Sequence, residues 1–215
     1  QYFFFYLGLS RASAMSSSII EASANFLAIL FAALAFHTEK LNTAKVLGCA
    51  LGFAGVALVN LSGADGTFGF RLDGEGFILA STVAGALSTC LIGIFSRKHD
   101  GVLLAGWQFL VGGLVLTAIG FLMGGALSPT AIVPAITLII YMALISAVAY
   151  SLWSRLLAVN PVSRVSVFGF MNPVFGVVLS ALLLGEGAGT SPVTVIVALL
   201  LVCGGIIIVN KPKKA

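Results

Sequence analysis

From Ala12 onward, long apolar stretches alternate with short polar breaks, and most of the charge lies outside the apolar stretches. The breaks read HTEKLN, SGADGTFGFRLDG, SRKHDG, GGALSPT, NPVS and GEGAGTS, each rich in turn-forming residues. Between them lie seven apolar runs, at about 12–36, 43–61, 76–95, 102–123, 131–157, 165–184 and 192–209. A helix crosses the hydrocarbon core of a bilayer with ~20 predominantly apolar residues, so each run predicts one spanning helix. The opening QYFFFYLGL is too short to span and reads as the end of an earlier helix at an aromatic interface belt. No break is long enough for a soluble domain. The fold expected is an all-α, polytopic membrane helix bundle in one membrane domain.

Composition agrees: 60% of the 215 residues are hydrophobic and 8% are charged, against roughly a quarter charged in soluble domains. The first residue is glutamine, with no basic region before an apolar core and no small-residue cleavage site after one, so the start is not a secretory signal. The chain is expected to begin mid-protein. Cys49, Cys90 and Cys203 lie singly within apolar runs and read as small packing residues. A net charge of +4 does not predict nucleic-acid binding, because the basic residues sit at segment ends and form no aromatic-laced patch. Membrane topology accounts for them better. Lys40, Lys45, Arg97, Lys98, Arg155, Arg164, Lys211, Lys213 and Lys214 fall on one side and Arg11 and Arg71 on the other; nine against two makes the first side cytoplasmic.

The most specific pattern is a repeat. NFLAILFAALAFHTE, from Asn25 to Glu39, matches NPVFGVVLSALLLGE, from Asn172 to Glu186, without a gap, and GVALVN at Gly55 matches GIIIVN at Gly205. Apolar matches between membrane helices carry little weight. The polar anchors carry more: Asn25 with Asn172, Glu39 with Glu186, Gly55 with Gly205, Asn60 with Asn210. The charge tally places Glu39 inside and Glu186 outside, so the copies are expected to point in opposite directions. Inverted-topology repeats are a physical route to alternating access. Residues 1–61 are then the C-terminal part of the first repeat, 62–75 an external loop, 76–210 the second repeat and 211–215 a basic cytoplasmic tail.

These segments, with WQFLVGG at Trp107 and AYSLWSRLL at Ala149, resemble the EamA-type branch of the drug/metabolite transporter superfamily over nearly the whole chain. The resemblance implies a carrier of ten helices in two five-helix inverted halves, with both termini cytoplasmic. Set on that pattern, the chain lacks the first two helices and much of the third, leaving about seven complete helices of ten. Phe26 stands where the second copy has Pro173, so symmetric kinks are not expected.

One acidic residue interrupts the first long run. Glu21 lies nine residues beyond Ala12, or ~13 Å into the membrane at a rise of 1.5 Å per residue. A charged group at mid-bilayer costs roughly 2.5–3.5 kcal/mol on insertion scales and so faces a bundle interior or a cavity. Ser17, Glu21 and Asn25 are spaced by four and share one helix face. A carboxyl group there can exchange a proton and couple it to solute movement; it can equally hold the bundle together by hydrogen bonding to a neighbouring helix. At Asn172-Pro173 the ring removes an amide donor and frees the Gly169 carbonyl, which breaks the helix where carriers often build sites. Gln108, Tyr150 and Trp153 are weaker candidates for the same cavity, and Trp107 and Trp153 also suit an interface belt. Glu39 and Glu186 read as caps on the helices that follow them. Gly48 with Gly52 and Gly120 with Gly124 read as packing seams.

The function expected is a secondary transporter of a small organic solute, such as an amino acid, another metabolite or a drug, working by proton coupling or exchange. Its expected place is the plasma (inner) membrane, multi-pass, with the C-terminus cytoplasmic. The expected partners are that solute and the bilayer, with a homodimer left open and no nucleic acid. No cofactor or metal site is predicted. A non-transporting scaffold or assembly subunit is the alternative. An intramembrane enzyme is disfavoured, because Asp65, Asp73 and Asp100 fall in loops, His37 and His99 at helix ends, and Glu21 has no acidic partner at its depth. No phosphate-binding G-x-x-x-x-G-K-[ST] motif is present.

Overall fold

The computed structural model of the chain describes residues 1–12, 14–62, 72–125, 132–172, 174–175 and 192–211, the side chains of 14–16, 59–60, 62 and 192 excepted. Everything it describes is helix or short connection. In chain order the helices are α1 (Tyr2–Leu9), α2 (Ala14–Leu30), α3 (Thr43–Ser62), α4 (Glu75–Phe95), α5 (Gly101–Leu122), α6 (Ile132–Val159), α7 (Val162–Ser166) and α8 (Pro192–Asn210). A π-helical turn, Phe31–Ala35, extends α2, and a 3₁₀ turn, Val167–Phe170, extends α7. Among the described residues five helices are long and apolar enough to cross a bilayer: Ser17–Ala35, Glu75–Phe95, Gly101–Leu122, Ile132–Val159 and Val193–Asn210. Thr43–Leu58 is a shorter apolar stretch.

The run expected to span 165–184 does not start as one continuous α-helix: α7 ends after five residues and tightens into the 3₁₀ turn. Pro173 and Glu186 lie outside the described residues, as do Arg71, Lys213, Lys214, and the Asn60 side chain.

The chain folds as two compact units, Gln1–Cys90 with Pro161–Ala215, and Leu91–Asn160. In the first, α3 and α8 pack tightly along their length. Gly48 lies against Gly205 and Val209, and Gly55 against Ala198 and Val202, so one helix descends as the other rises. The pair is therefore antiparallel. A Cβ on Gly48 would sit 2.7 Å from the Gly205 carbonyl oxygen, and one on Gly55 2.8 Å from that of Ala198. Only glycine allows these backbones to meet, and such small-residue contacts hold membrane helices together where no hydrophobic drive exists. Ala22 and Ile29 of α2, Cys49 and Val56 of α3, Phe170 of the 3₁₀ turn and Val202 of α8 form the buried core beside this seam.

The second unit is the α5–α6 hairpin, with Gly101 at the start of α5 against Ser154 near the end of α6. Asp100 caps α5, accepting from the Val102 and Leu103 amides at 2.7 and 3.2 Å. Those amide bonds hold its carboxyl group below its ordinary pKa. Gly124, with φ of +83°, turns the chain just beyond α5. Among the described residues no seam forms at Gly120, where a Cβ would meet nothing within 4 Å. Gly48 fulfils the seam expected of it.

Glu39 does not cap the helix that follows it. Asn42 does, accepting from the Lys45 amide at 2.9 Å. The reason is distance along the turn: Asn42 immediately precedes α3, whereas Glu39 is carried elsewhere by His37, whose φ of +51° reverses the backbone.

Candidate functional site

A cavity of about 390 Å³ lies in the larger unit. Ser17, Glu21 and Asn25 of α2 form one wall, in the stripe their spacing predicts; Gly169 and Asn172 of the broken segment face it, and Phe5 and Leu9 of α1 add an apolar edge. Five sequence candidates are thus brought together, and the sixth on this segment, Pro173, lies outside the described residues.

The polar groups of the cavity differ in how they are satisfied. Glu21 Oε2 is 3.2 Å from the Thr82 hydroxyl of α4, and the Gln1 side chain also hydrogen-bonds the carboxyl group. Thr82 is fully buried and lies 2.7 Å from the Ile78 carbonyl oxygen. A hydroxyl has one proton for these two acceptors. When Thr82 donates to Ile78, its oxygen accepts a hydrogen bond from the hydroxyl of a neutral Glu21; when Glu21 is ionised, Thr82 turns to donate to it. The site can therefore hold the carboxyl group in either protonation state without leaving it unpartnered. Ser17 is 4% exposed and its hydroxyl has no hydrogen-bond partner among the described residues. A buried polar group left in that condition costs roughly 1–3 kcal/mol unless water or a solute meets it.

Asn25 and Gly169 are in contact. A Cβ on Gly169 would fall 2.7 Å from Asn25 Cγ, so only glycine lets the Asn25 amide lie against this backbone while its Nδ2 reaches the Ala22 carbonyl at 3.4 Å.

Gln108 and Tyr150 belong to the smaller unit. The Tyr150 ring meets Phe109 edge-on with centroids 4.8 Å apart. A hollow of about 490 Å³ in this unit is lined by Phe109, Ser146 and Ser151 rather than by Gln108 or Tyr150. Trp107 is 59% exposed, as an interface residue would be.

Two polar neighbours carry little local signal in the sequence. Thr82 sits in LASTVAGALST, where adjacent hydroxyls mid-helix are the available signal. Ser163 sits in NPVS and receives Glu39: Oε1 accepts from the Ser163 amide at 3.0 Å, and Oε2 accepts from its hydroxyl and pairs with Lys45 Nζ at 2.5 Å. The Lys45 and Glu39 side chains are 16% and 6% exposed. Burial alone raises the Glu39 pKa, but the hydrogen bonds from Lys45 and Ser163, with the Lys45 charge, outweigh it and hold the carboxyl group below its ordinary value.

Residues 72–211, through α4 to α8, match the EamA-like transporter family. The chain belongs to that family. It is 28% identical over 180 residues to the uncharacterized transporter YvbV of Bacillus subtilis, covering 82% of this chain and 57% of that protein. It is also 27% identical over 187 residues to a WAT1-related chloroplastic protein of Arabidopsis thaliana, covering 83% of this chain and 45% of that one. The chain thus spans about half the length of the curated relatives it matches. A solved structure described as a crystal structure of protein superposes with a TM-score of 0.77 over 98% of this chain and 73% of its own length, at 21% identity, which speaks to the fold alone. With these relatives and its apolar helices, this EamA-like chain is a multi-pass membrane protein.

Proposed function

We propose that the chain is part of a secondary transporter that carries a small organic solute, such as an amino acid, another metabolite or a drug, across the plasma (inner) membrane by alternating access, with its basic tail on the cytoplasmic side. The observation that carries this reading is the Glu21 carboxyl group on a cavity wall within a spanning helix, flanked by Ser17 and Asn25 and faced by Asn172. Such a group is expensive to place in a bilayer and is retained where it contacts solute, water or protons. The antiparallel α3–α8 pair supports inverted copies, and the skew of lysine and arginine supports the orientation. Glu21 exchanges a proton with the cavity, and Thr82 serves both protonation states.

The test is uptake by the full-length protein in proteoliposomes, with and without an imposed pH gradient, over a broad panel of organic solutes. The gradient accelerates uptake of at least one solute, and Glu21→Gln removes that response while the protein stays folded and monodisperse. A protein that moves no solute overturns the reading; Glu21→Gln protein that responds to the gradient as the parent does removes Glu21 from the coupling.

A further inference from the structure

Glu39 and Ser163 lie 124 residues apart in the chain, yet both carboxylate oxygens of Glu39 are spent on the Ser163 amide and hydroxyl. The repeat register that pairs Asn25 with Asn172 and Glu39 with Glu186 also pairs Ser16 with Ser163. Both copies therefore carry the serine and the glutamate, and the contact joins the glutamate of the first copy to the serine of the second. It binds the two segments that form opposite walls of the cavity, α2 with its π turn and α7 with its 3₁₀ turn. Between Asn25 at the cavity and Glu39 at this contact, Ala28 and Ile29 of α2 and Ala32 of its π turn are no more than 2% exposed. These buried side chains, and beyond them the Glu39 contact, lie between the cavity and this end of the helix.

We infer that the Glu39–Ser163 contact is a latch between the two repeat copies that keeps the cavity shut at this end, and that Glu39 is the positioning residue whose release lets α7 part from α2. The inference rests on the transporter reading. A latch must open without stranding a buried charge, and this one does. Lys45, in the first turn of α3, also donates to the Lys40 carbonyl at 3.0 Å and stays with the carboxylate when Ser163 leaves. Ser163 is the first turn of α7, where departing amides meet water at the end of the segment. The parts that separate are one serine from one paired carboxylate, a difference small enough for both arrangements to be populated.

Cys90 is a built-in reporter. It is 1% exposed, its thiol donates to the Ala28 carbonyl at 3.2 Å within this buried layer, and it stands five residues before the end of α4 at Phe95. Cys49, fully buried in the core beside α8, reports unfolding of the bundle instead. In membranes, full-length protein with Cys90 as its single cysteine is treated with an impermeant maleimide, and a second series keeps Cys49 alone. Ser163→Ala and Glu39→Gln raise the Cys90 rate about five-fold or more beyond any rise in the Cys49 rate, the shift expected from losing one hydrogen bond to a charged group. Unchanged Cys90 labelling in both variants overturns the latch, and so does a Cys49 rate that rises in parallel, which marks a purely structural staple. The labelling needs no solute, so a protein that transports but keeps Cys90 protected in both variants loses the latch alone, whereas one that transports nothing fails the earlier test.

Discussion

The two repeat copies differ most where they face each other across the cavity. In the first, α2 runs unbroken from Ala14 to Leu30 before its π turn; in the second, α7 stops after five residues and tightens into a 3₁₀ turn. In register, Glu21 of the first copy stands against Phe168 of the second, and Ala22 against Gly169, while Asn25 and Asn172 are shared and both line the cavity. The unbroken copy supplies the ionisable group on a firm helix. The broken copy supplies a bare backbone and an amide that lie close to it. Related sequences have thus taken up different tasks, and the pseudo-symmetry is kept at the asparagines and at the glycine seam rather than at the acid.

The largest effect should come from uncoupling the copies at Glu39. Glu39→Gln is expected to lower stability by about 2–3 kcal/mol near pH 7, as loss of a nearly dry ion pair and hydrogen bonds to a charged group does, read by thermal unfolding in detergent. The pH dependence has a definite sign. Because the folded pKa is depressed, the stabilisation is fully present above the unfolded value of about 4.3 and is lost as pH falls through the lower folded value. The gap between parent and Glu39→Gln should close in acid; a gap of undiminished size at low pH would mean that charge is not its source.

A smaller effect sharpens the comparison from the other side. Gly169→Ala gives the second copy the residue that the first has at Ala22, and the new Cβ meets the Asn25 amide. Overpacking of this kind costs roughly 1–3 kcal/mol. Asn25→Ala in the same chain should recover much of it, so the double-mutant cycle shows coupling between the sites. Additive losses would place the strain elsewhere.

Much of this architecture is legible in the sequence because bilayer thickness fixes helix length and turn residues fix the ends. The runs expected at 43–61, 76–95 and 102–123 appear as Thr43–Ser62, Glu75–Phe95 and Gly101–Leu122, two of them started by the caps Asn42 and Asp100. Ser17, Glu21 and Asn25 were legible for a similar reason: fourfold spacing puts them on one face whatever the neighbours. Thr82 and Ser163 were not, because their roles depend on pairings 61 and 124 residues away, which no local pattern encodes. The π turn and the left-handed His37 were hidden likewise, since the residues there are ordinary helix formers. Those two features direct Glu39 away from α3 and toward α7.

Alternation itself is tested most directly at Ser18, which lines the cavity beside Glu21. Full-length protein with Ser18→Cys as its single cysteine is labelled by an impermeant maleimide in right-side-out and in inverted vesicles. Reaction in both orientations is the predicted result, with Ser163→Ala shifting reactivity toward the face that carries Glu39. Reaction in one orientation only, unaltered by Ser163→Ala, would contradict a cavity that opens in turn to the two sides of the membrane.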